Sequence, residues 1–221
     1  FYFKKVSLIQ IDNLFIISVV SIVLAYSISS FFVQKNLLID RKDYSKHKKL
    51  VKNSSTLTPL CGGIIIFLSS IIFFQEALLL NLFGFLILLI GLFSDNNKIT
   101  SPTIRIIAQL IVLFTFVYMT SSNINDLRIE KLNQLLEIKF ISIIFTTFCV
   151  LILINGSNFL DGLNTLLVGY YILVCSFLII LSKNYGLIIN DNIFLLLIFL
   201  ITIYLFNFFG KFYLGDSGSY L

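Results

Sequence analysis

Charge is scarce in this 221-residue chain: Asp, Glu, Lys and Arg together make up 12% of it, against 58% hydrophobic residues. Soluble globular domains carry about a quarter charged residues, so composition excludes a water-soluble fold. Cysteine is scarce as well. Cys61, Cys149 and Cys175 lie in or beside apolar stretches, and their spacing makes neither a disulfide framework nor a zinc site. They read as small apolar packing residues. Histidine occurs once, at His47. No internal repeat or disordered linker is visible. No cleavable signal peptide is expected, because the first apolar stretch is too long and lacks a small-residue cleavage site. Nothing suggests that the net charge of +5 makes a nucleic-acid surface, which would need aromatic or groove-reading features as well.

What the chain has is apolar length. A membrane-spanning helix needs roughly 20 mostly apolar residues. About seven such stretches are read near 13–34, 60–74, 77–93, 104–121, 139–154, 163–182 and 191–209. The second is the shortest, with Glu76 in the link behind it. A transmembrane barrel would show alternating segments of about ten residues instead. The expected fold is all-α, a polytopic transmembrane helical bundle forming one integral membrane domain over 1–221. The chain begins at Phe1 and stops at Leu221 inside a motif, so the domain is expected to be incomplete at its C-terminus.

The loop after the first stretch carries Lys35, Arg41, Lys42, Lys46, Lys48, Lys49 and Lys52. Short loops rich in Lys and Arg stay cytoplasmic, and this loop outvotes the N-terminal pair Lys4 and Lys5. Alternation then puts the strings SDNN (Ser94–Asn97), NGSNFLDGLN (Asn155–Asn164) and GDSGS (Gly215–Ser219) on the cytoplasmic side too. The mixed-charge stretch from Asp126 to Glu137 falls opposite and reads as a solvated linker without chemistry. The basic loop has two readings that are compatible: an anchor for anionic lipid headgroups, and a cationic collar for a phosphate-bearing substrate.

Each of the three cytoplasmic strings offers one aspartate: Asp95, Asp161 and Asp216. An ionisable residue at membrane depth signals function, although one at a loop edge is cheaper to keep. If the helix continues through its string, Asn155, Asn158 and Asp161 step by three and share nearly one face, with Thr165 four residues further on. Such a stripe is ill suited to lipid. It must pack inward or line a wet cavity, and Gly156 and Gly162 would let backbone or ligand approach closely. In GDSGS, glycines can bare backbone N–H groups to anionic oxygens. The adjoining carboxylate can hold Mg²⁺, an ion bound by one or two carboxylates plus substrate phosphates.

These strings resemble the ordered cytoplasmic motifs of the polyprenyl-phosphate N-acetylhexosamine-1-phosphate transferases, relatives of phospho-N-acetylmuramoyl-pentapeptide transferase. Thr58-Pro59-Leu60-Cys61-Gly62-Gly63 resembles T-P-x-x-G-G, and Gly91 to Asp95 sits where the family has G-x-x-D-D, with Arg105 on its downstream basic residue. Asn155 to Leu166 resembles N-x-x-N-x-x-D-G-x-D-G-L, and Asn207 with Leu214 to Ser219 resembles N…F-M-G-D-x-G-S.

The resemblance implies transfer of a sugar-1-phosphate from a UDP-N-acetylhexosamine to undecaprenyl phosphate, with loss of UMP. It implies Asp95, Asp161 and Asp216 as catalytic residues, with Asp216 also holding Mg²⁺, or Mn²⁺ in its place. Asn155, Asn158, Gly162, Asn164, Asn207, Arg105, Lys46 and His47 would contact substrate. The implied setting is a bacterial inner (cytoplasmic) membrane, with membrane lipid as partner, a cytoplasmic active site and a homodimer allowed.

Three departures stand out. Ser94 replaces the first aspartate of the D-D pair, Asn164-Thr165 replaces the later D-G, and the family's later helices and histidine-bearing loop are missing. His47 lies in a loop where the family also has a histidine, but at different spacing, and it reads first as a solvated loop residue. Ser94 and Asn164 keep a second expectation open, a catalytically degenerate binding or scaffold relative. A transporter with an acidic ion site would instead place its carboxylates near mid-span.

Overall fold

The structure, a computed structural model, describes residues 7–40, 58–73, 78–162, 165–186 and 192–221. Nine helices run through them in the order α1 (Ser7–Gln34), α2 (Gly62–Phe73), α3 (Leu78–Asp95), α4 (Pro102–Thr120), α5 (Glu130–Leu136), α6 (Lys139–Leu160), α7 (Leu166–Tyr185), α8 (Asn192–Phe208) and α9 (Gly215–Ser219). Among the described residues there is no strand, only two isolated bridges, Ile39 with Pro59 and Leu60 with Tyr213. Helices are the expected solution here, because only internally bonded backbone survives in lipid. The all-α membrane bundle read from the sequence is the fold observed.

Seven apolar helices match the seven stretches, but they are not equal. Five are long and apolar enough to cross a membrane, while Gly62–Ile72 and Ile193–Phe208 are shorter. The two remaining helices, α5 and α9, are short and were not read from the sequence. α5 lies in the 121–138 stretch, which is more ordered than a solvated linker. There the Asp126 carboxylate accepts the Arg128 backbone N–H at 2.7 Å and the Asn133 amide at 2.6 Å. The Arg128 backbone bond is the main reason that the Asp126 carboxyl sits below its ordinary pKa, followed by the Asn133 amide.

Local chemistry explains where the helices stop. At the end of α3, Asn97 adopts a left-handed φ of 56°. Its N–H returns to Ser94 O and that of Lys98 to Phe93 O, which is the Schellman arrangement with an asparagine at the left-handed position. The SDNN string is therefore a helix stop as well as a source of carboxylate. Gly210 closes α8 the same way, at φ 64°. α4 opens with Ser101 as N-cap and Pro102 in its first turn, where the missing proline N–H costs nothing.

The helices form two groups. α1, α2, α7 and α8 enclose a core that includes Ala25, Ile65, Leu167, Phe199 and Ile203. α3, α4 and α6 enclose another around Ile87, Ile90, Leu113 and Leu151. Outward faces stay apolar, as with Ile104, Ile107 and Ile111 on α4, whereas Gln109, Leu113 and Val117 face inward on the same helix. The groups meet along α2 with α3 and α6 with α7, and α9 packs on α2, α3 and α6 at this seam.

Candidate active site

The motif segments come together around α9. Thr58 to Gly63 pairs with the chain leading into α9: Tyr213 N–H donates to Pro59 O at 2.9 Å, and Gly62 N–H donates to Tyr213 O at 3.0 Å. Two glycines then make room for backbone-to-backbone packing. A Cβ on Gly63 would lie 2.5 Å from the Ser217 carbonyl carbon, and one on Gly91 would overlap Ser217 Cα. Gly215 is required for two reasons. Its φ is 70°, and a Cβ there would meet Asp95 Oδ2 at 2.8 Å. Among the described residues, no backbone makes the close approach expected at Gly156 or Gly162: nothing lies within 4 Å of a Cβ on Gly156, and one on Gly162 meets Phe159 O at 3.5 Å.

The three aspartates converge, each in a different role. Asp95, at the last turn of α3, accepts Asp216 N–H on Oδ1 at 2.8 Å and Ser217 N–H on Oδ2 at 3.1 Å. The Asp161 carboxylate takes the backbone N–H of Gly215. Two carboxylates from separate helices thus satisfy the first N–H groups of α9, which helix geometry leaves without partners. Asp216 instead turns to Arg105. Its Oδ2 accepts Arg105 Nη1 at 2.7 Å and also the Ser94 hydroxyl. Arg105 Nη1 reaches Ser94 Oγ at 2.9 Å and Tyr220 OH at 3.2 Å. A cation one turn into α4 opposes the helix dipole, and the Asp216 pair offsets that conflict.

Asp161, 4% exposed, has its pKa pushed up to about 8, first by burial and then by the charges of Asp95 and Asp216. It therefore keeps a proton at neutral pH, and Asp95 and Asp216 face the single guanidinium of Arg105. Burial likewise pushes the Tyr220 phenol up to about 12, so it keeps its proton at neutral pH. This charge balance and the hard oxygen donors suit a divalent cation. Among the described residues no three His, Cys, Asp or Glu side chains gather closely enough to cage one. Its other ligands would come from substrate phosphates and water, the usual arrangement for Mg²⁺.

The amides are also engaged. Asn155 Nδ2 donates to Gln109 Oε1 at 2.8 Å and to Leu151 O at 2.9 Å. Asn158 takes the Ser219 hydroxyl on Oδ1 at 3.0 Å and donates from Nδ2 to Tyr220 OH at 3.4 Å. Asn207, 1% exposed, accepts Thr165 N–H at 2.8 Å and donates to Phe212 O at 3.3 Å, tying the start of α7 to the turn after α8. α6 does run through Asn155 and Asn158 to Asp161, its C-cap. The stripe stops there: Thr165 is the N-cap of α7, with a φ of 68°. Lys46, His47 and Asn164 lie outside the described residues. Sequence reasoning missed Tyr220 and the wholly buried Gln109. Gln109 sits one turn beyond Arg105 on α4, a polar pair at helical spacing in an apolar segment, and that signal could have found it.

Residues 77–221, more than half of the chain, match the family described as glycosyl transferase family 4. The chain belongs to glycosyl transferase family 4. No curated protein and no solved structure matches it. The matched residues hold Asp95, Arg105, Asn155, Asn158, Asp161, Asn207 and Asp216, whereas the Thr58–Gly63 motif precedes them. Membership in glycosyl transferase family 4 implies a transferase acting in the membrane, with a sugar-phosphate donor and a polyprenyl phosphate acceptor.

Proposed function

We propose that this glycosyl transferase family 4 protein transfers N-acetylhexosamine-1-phosphate from a UDP-sugar to undecaprenyl phosphate at the cytoplasmic face of a bacterial inner membrane. An oxygen of the lipid phosphate attacks the β-phosphorus, the bond from that phosphorus to the bridging oxygen breaks, and UMP leaves with the electron pair. A polyprenyl-pyrophosphoryl sugar remains. The observation that carries this reading is the meeting of Asp95, Asp161, Asp216 and Arg105 around one glycine-lined turn, at the ends of helices read as membrane spans.

Phosphoryl transfer depends mainly on positioning and charge neutralisation, and the residues divide along those lines. Asp95 and Asp161 hold the α9 backbone in place. Arg105 supplies a fixed positive charge, and Ser94 steadies the Asp216 carboxylate against it. Asp216 would hold a Mg²⁺ ion, or Mn²⁺ in its place, and the bound cation would neutralise charge on the phosphates. Deprotonation of the lipid phosphate by an aspartate at position 94 is dispensable, because a phosphate monoester has its second pKa near 6 and is largely dianionic at pH 7.

The test is incorporation of labelled sugar into lipid extract by membranes holding the protein, across a panel of UDP-N-acetylhexosamines with undecaprenyl phosphate. Product should form with Mg²⁺, vanish in excess EDTA, and be absent with Asp216→Asn. Undiminished product in EDTA would remove the metal from the scheme. A relative that binds without turnover is the second reading, favoured by one observation: Asp216 Oδ2 is already occupied by Arg105 and Ser94. No product from any donor, with binding of UDP-sugar retained, would decide for it.

A further inference from the structure

Tyr220 lies outside every string that the sequence singles out, yet it sits where α4, α6 and α9 meet. It is 3% exposed, and its ring packs among Ile87, Ile90, Leu113 and Leu151. Its hydroxyl receives one N–H from Arg105 Nη1 at 3.2 Å and one from Asn158 Nδ2 at 3.4 Å. The Asn158 amide is fixed in that orientation from its other end, since Ser219 Oγ donates to Asn158 Oδ1. A phenol hydroxyl carries one proton to donate besides its accepting lone pairs. Both neighbours are donors, so they occupy the accepting side. The phenol's own proton is left without an acceptor among the described residues.

A second observation points the same way. Arg105 Nε–H, on the side chain next to the phenol, is buried and also has no acceptor among the described residues. Buried polar hydrogens without partners are uncommon and costly, and these two lie on adjoining side chains. Tyr220 further borders a mostly apolar cavity of about 350 Å³, together with Ser157, Tyr171 and Ser219.

We infer that Tyr220 contacts substrate directly, giving its O–H to a phosphate oxygen of one of the two phosphate-bearing substrates while Arg105 and Asn158 hold the phenol in place. The identity of the ligand rests on the transferase reading; the unused donors do not. A hydrogen bond to a charged oxygen is stronger than a neutral one, and its loss should weaken binding about tenfold or more.

The experiment is isothermal titration of the detergent-solubilised wild type and Tyr220→Phe with three probes: farnesyl phosphate, farnesol and UDP-N-acetylglucosamine. Thermal unfolding of both proteins is recorded alongside. Tyr220→Phe should weaken one phosphate probe about tenfold or more and leave farnesol unchanged, a ratio that a merely looser fold would not alter. Loss confined to farnesyl phosphate assigns the bond to the lipid acceptor, and loss confined to the UDP-sugar assigns it to the donor. Equal affinities in both proteins would overturn the inference and leave the transferase reading standing. So would a farnesol affinity that falls as far as that of farnesyl phosphate. A wild type that binds neither phosphate probe would overturn the transferase reading and the ligand assignment together.

Discussion

Ser94 donates to Asp216 and accepts from Arg105, so one hydroxyl sits between the two charges. A carboxylate at this position would have no proton to give Asp216 and would set a second anion against the same guanidinium. Because the lipid phosphate is already largely dianionic at pH 7, a base at this position can only assist, and Ser94→Asp should change the rate there modestly, within about 10²-fold, the low end for general-base effects. The gain should be larger at pH 5–6, where more of the lipid phosphate, with its second pKa near 6, still carries its proton. Rates of lipid-linked product formation at the two pH values measure this. A substitution that converts an inactive protein into an efficient one at pH 7 would mark the natural chain as a degenerate enzyme. Asp95 is legible in the sequence as a functional carboxylate, but its part as the anchor for Asp216 and Ser217 N–H is not, because the partners lie 121 and 122 residues away.

At the scale of the element, α9 is a five-residue helix that holds its place through contacts with other elements. An isolated helix of that length does not persist in water. Here its first N–H groups are capped by Asp95 and Asp161, and its backbone lies on the glycine faces of α2 and α3. Gly91→Ala should push Ser217 off α3 and cost about 1–3 kcal/mol, the usual penalty for overpacking. Product formation should fall with it, because Asp216 moves with the helix. Gly156→Ala, with nothing within 4 Å of the new methyl group, should stay within about 0.5 kcal/mol of wild type. Denaturant unfolding in detergent compares the two, and equal effects would show that close packing of α9 is not what Gly91 provides.

Over the whole molecule, the helix ends sort into two sets. Asp95, Asp161 and Asp216 share one end, where Asp40 N–H and Thr58 O also meet to close the base of the basic loop. α5 and the residues around Asp126 belong to the connection between α4 and α6 at the other end. Cysteines introduced singly at positions 46 and 97 should both be protected from a membrane-impermeant thiol reagent applied to intact cells. One at 128 should react. Labelling at 97 with protection at 46 would break the alternation of spans and separate loops that the site requires on one face.

The apolar runs alone determined that this chain is a bundle of membrane helices, because in lipid each helix must satisfy its own backbone and the run lengths say where that happens. They also determined that Asp95, Asp161 and Asp216 fall at run ends, and the order of the strings carried the family resemblance. Tertiary structure decided which partner each carboxylate takes, that the backbone of α9 packs closely on Gly63 and Gly91, and that Gln109 and Tyr220 belong to the polar seam. It also decided that the stripe on α6 ends at Asp161. A local pattern reports the face and the end of a helix on which a residue lies. The partner across the seam is chosen by how α3, α4, α6 and α9 pack, and contacts between residues more than a hundred positions apart leave no trace within any single stretch of sequence.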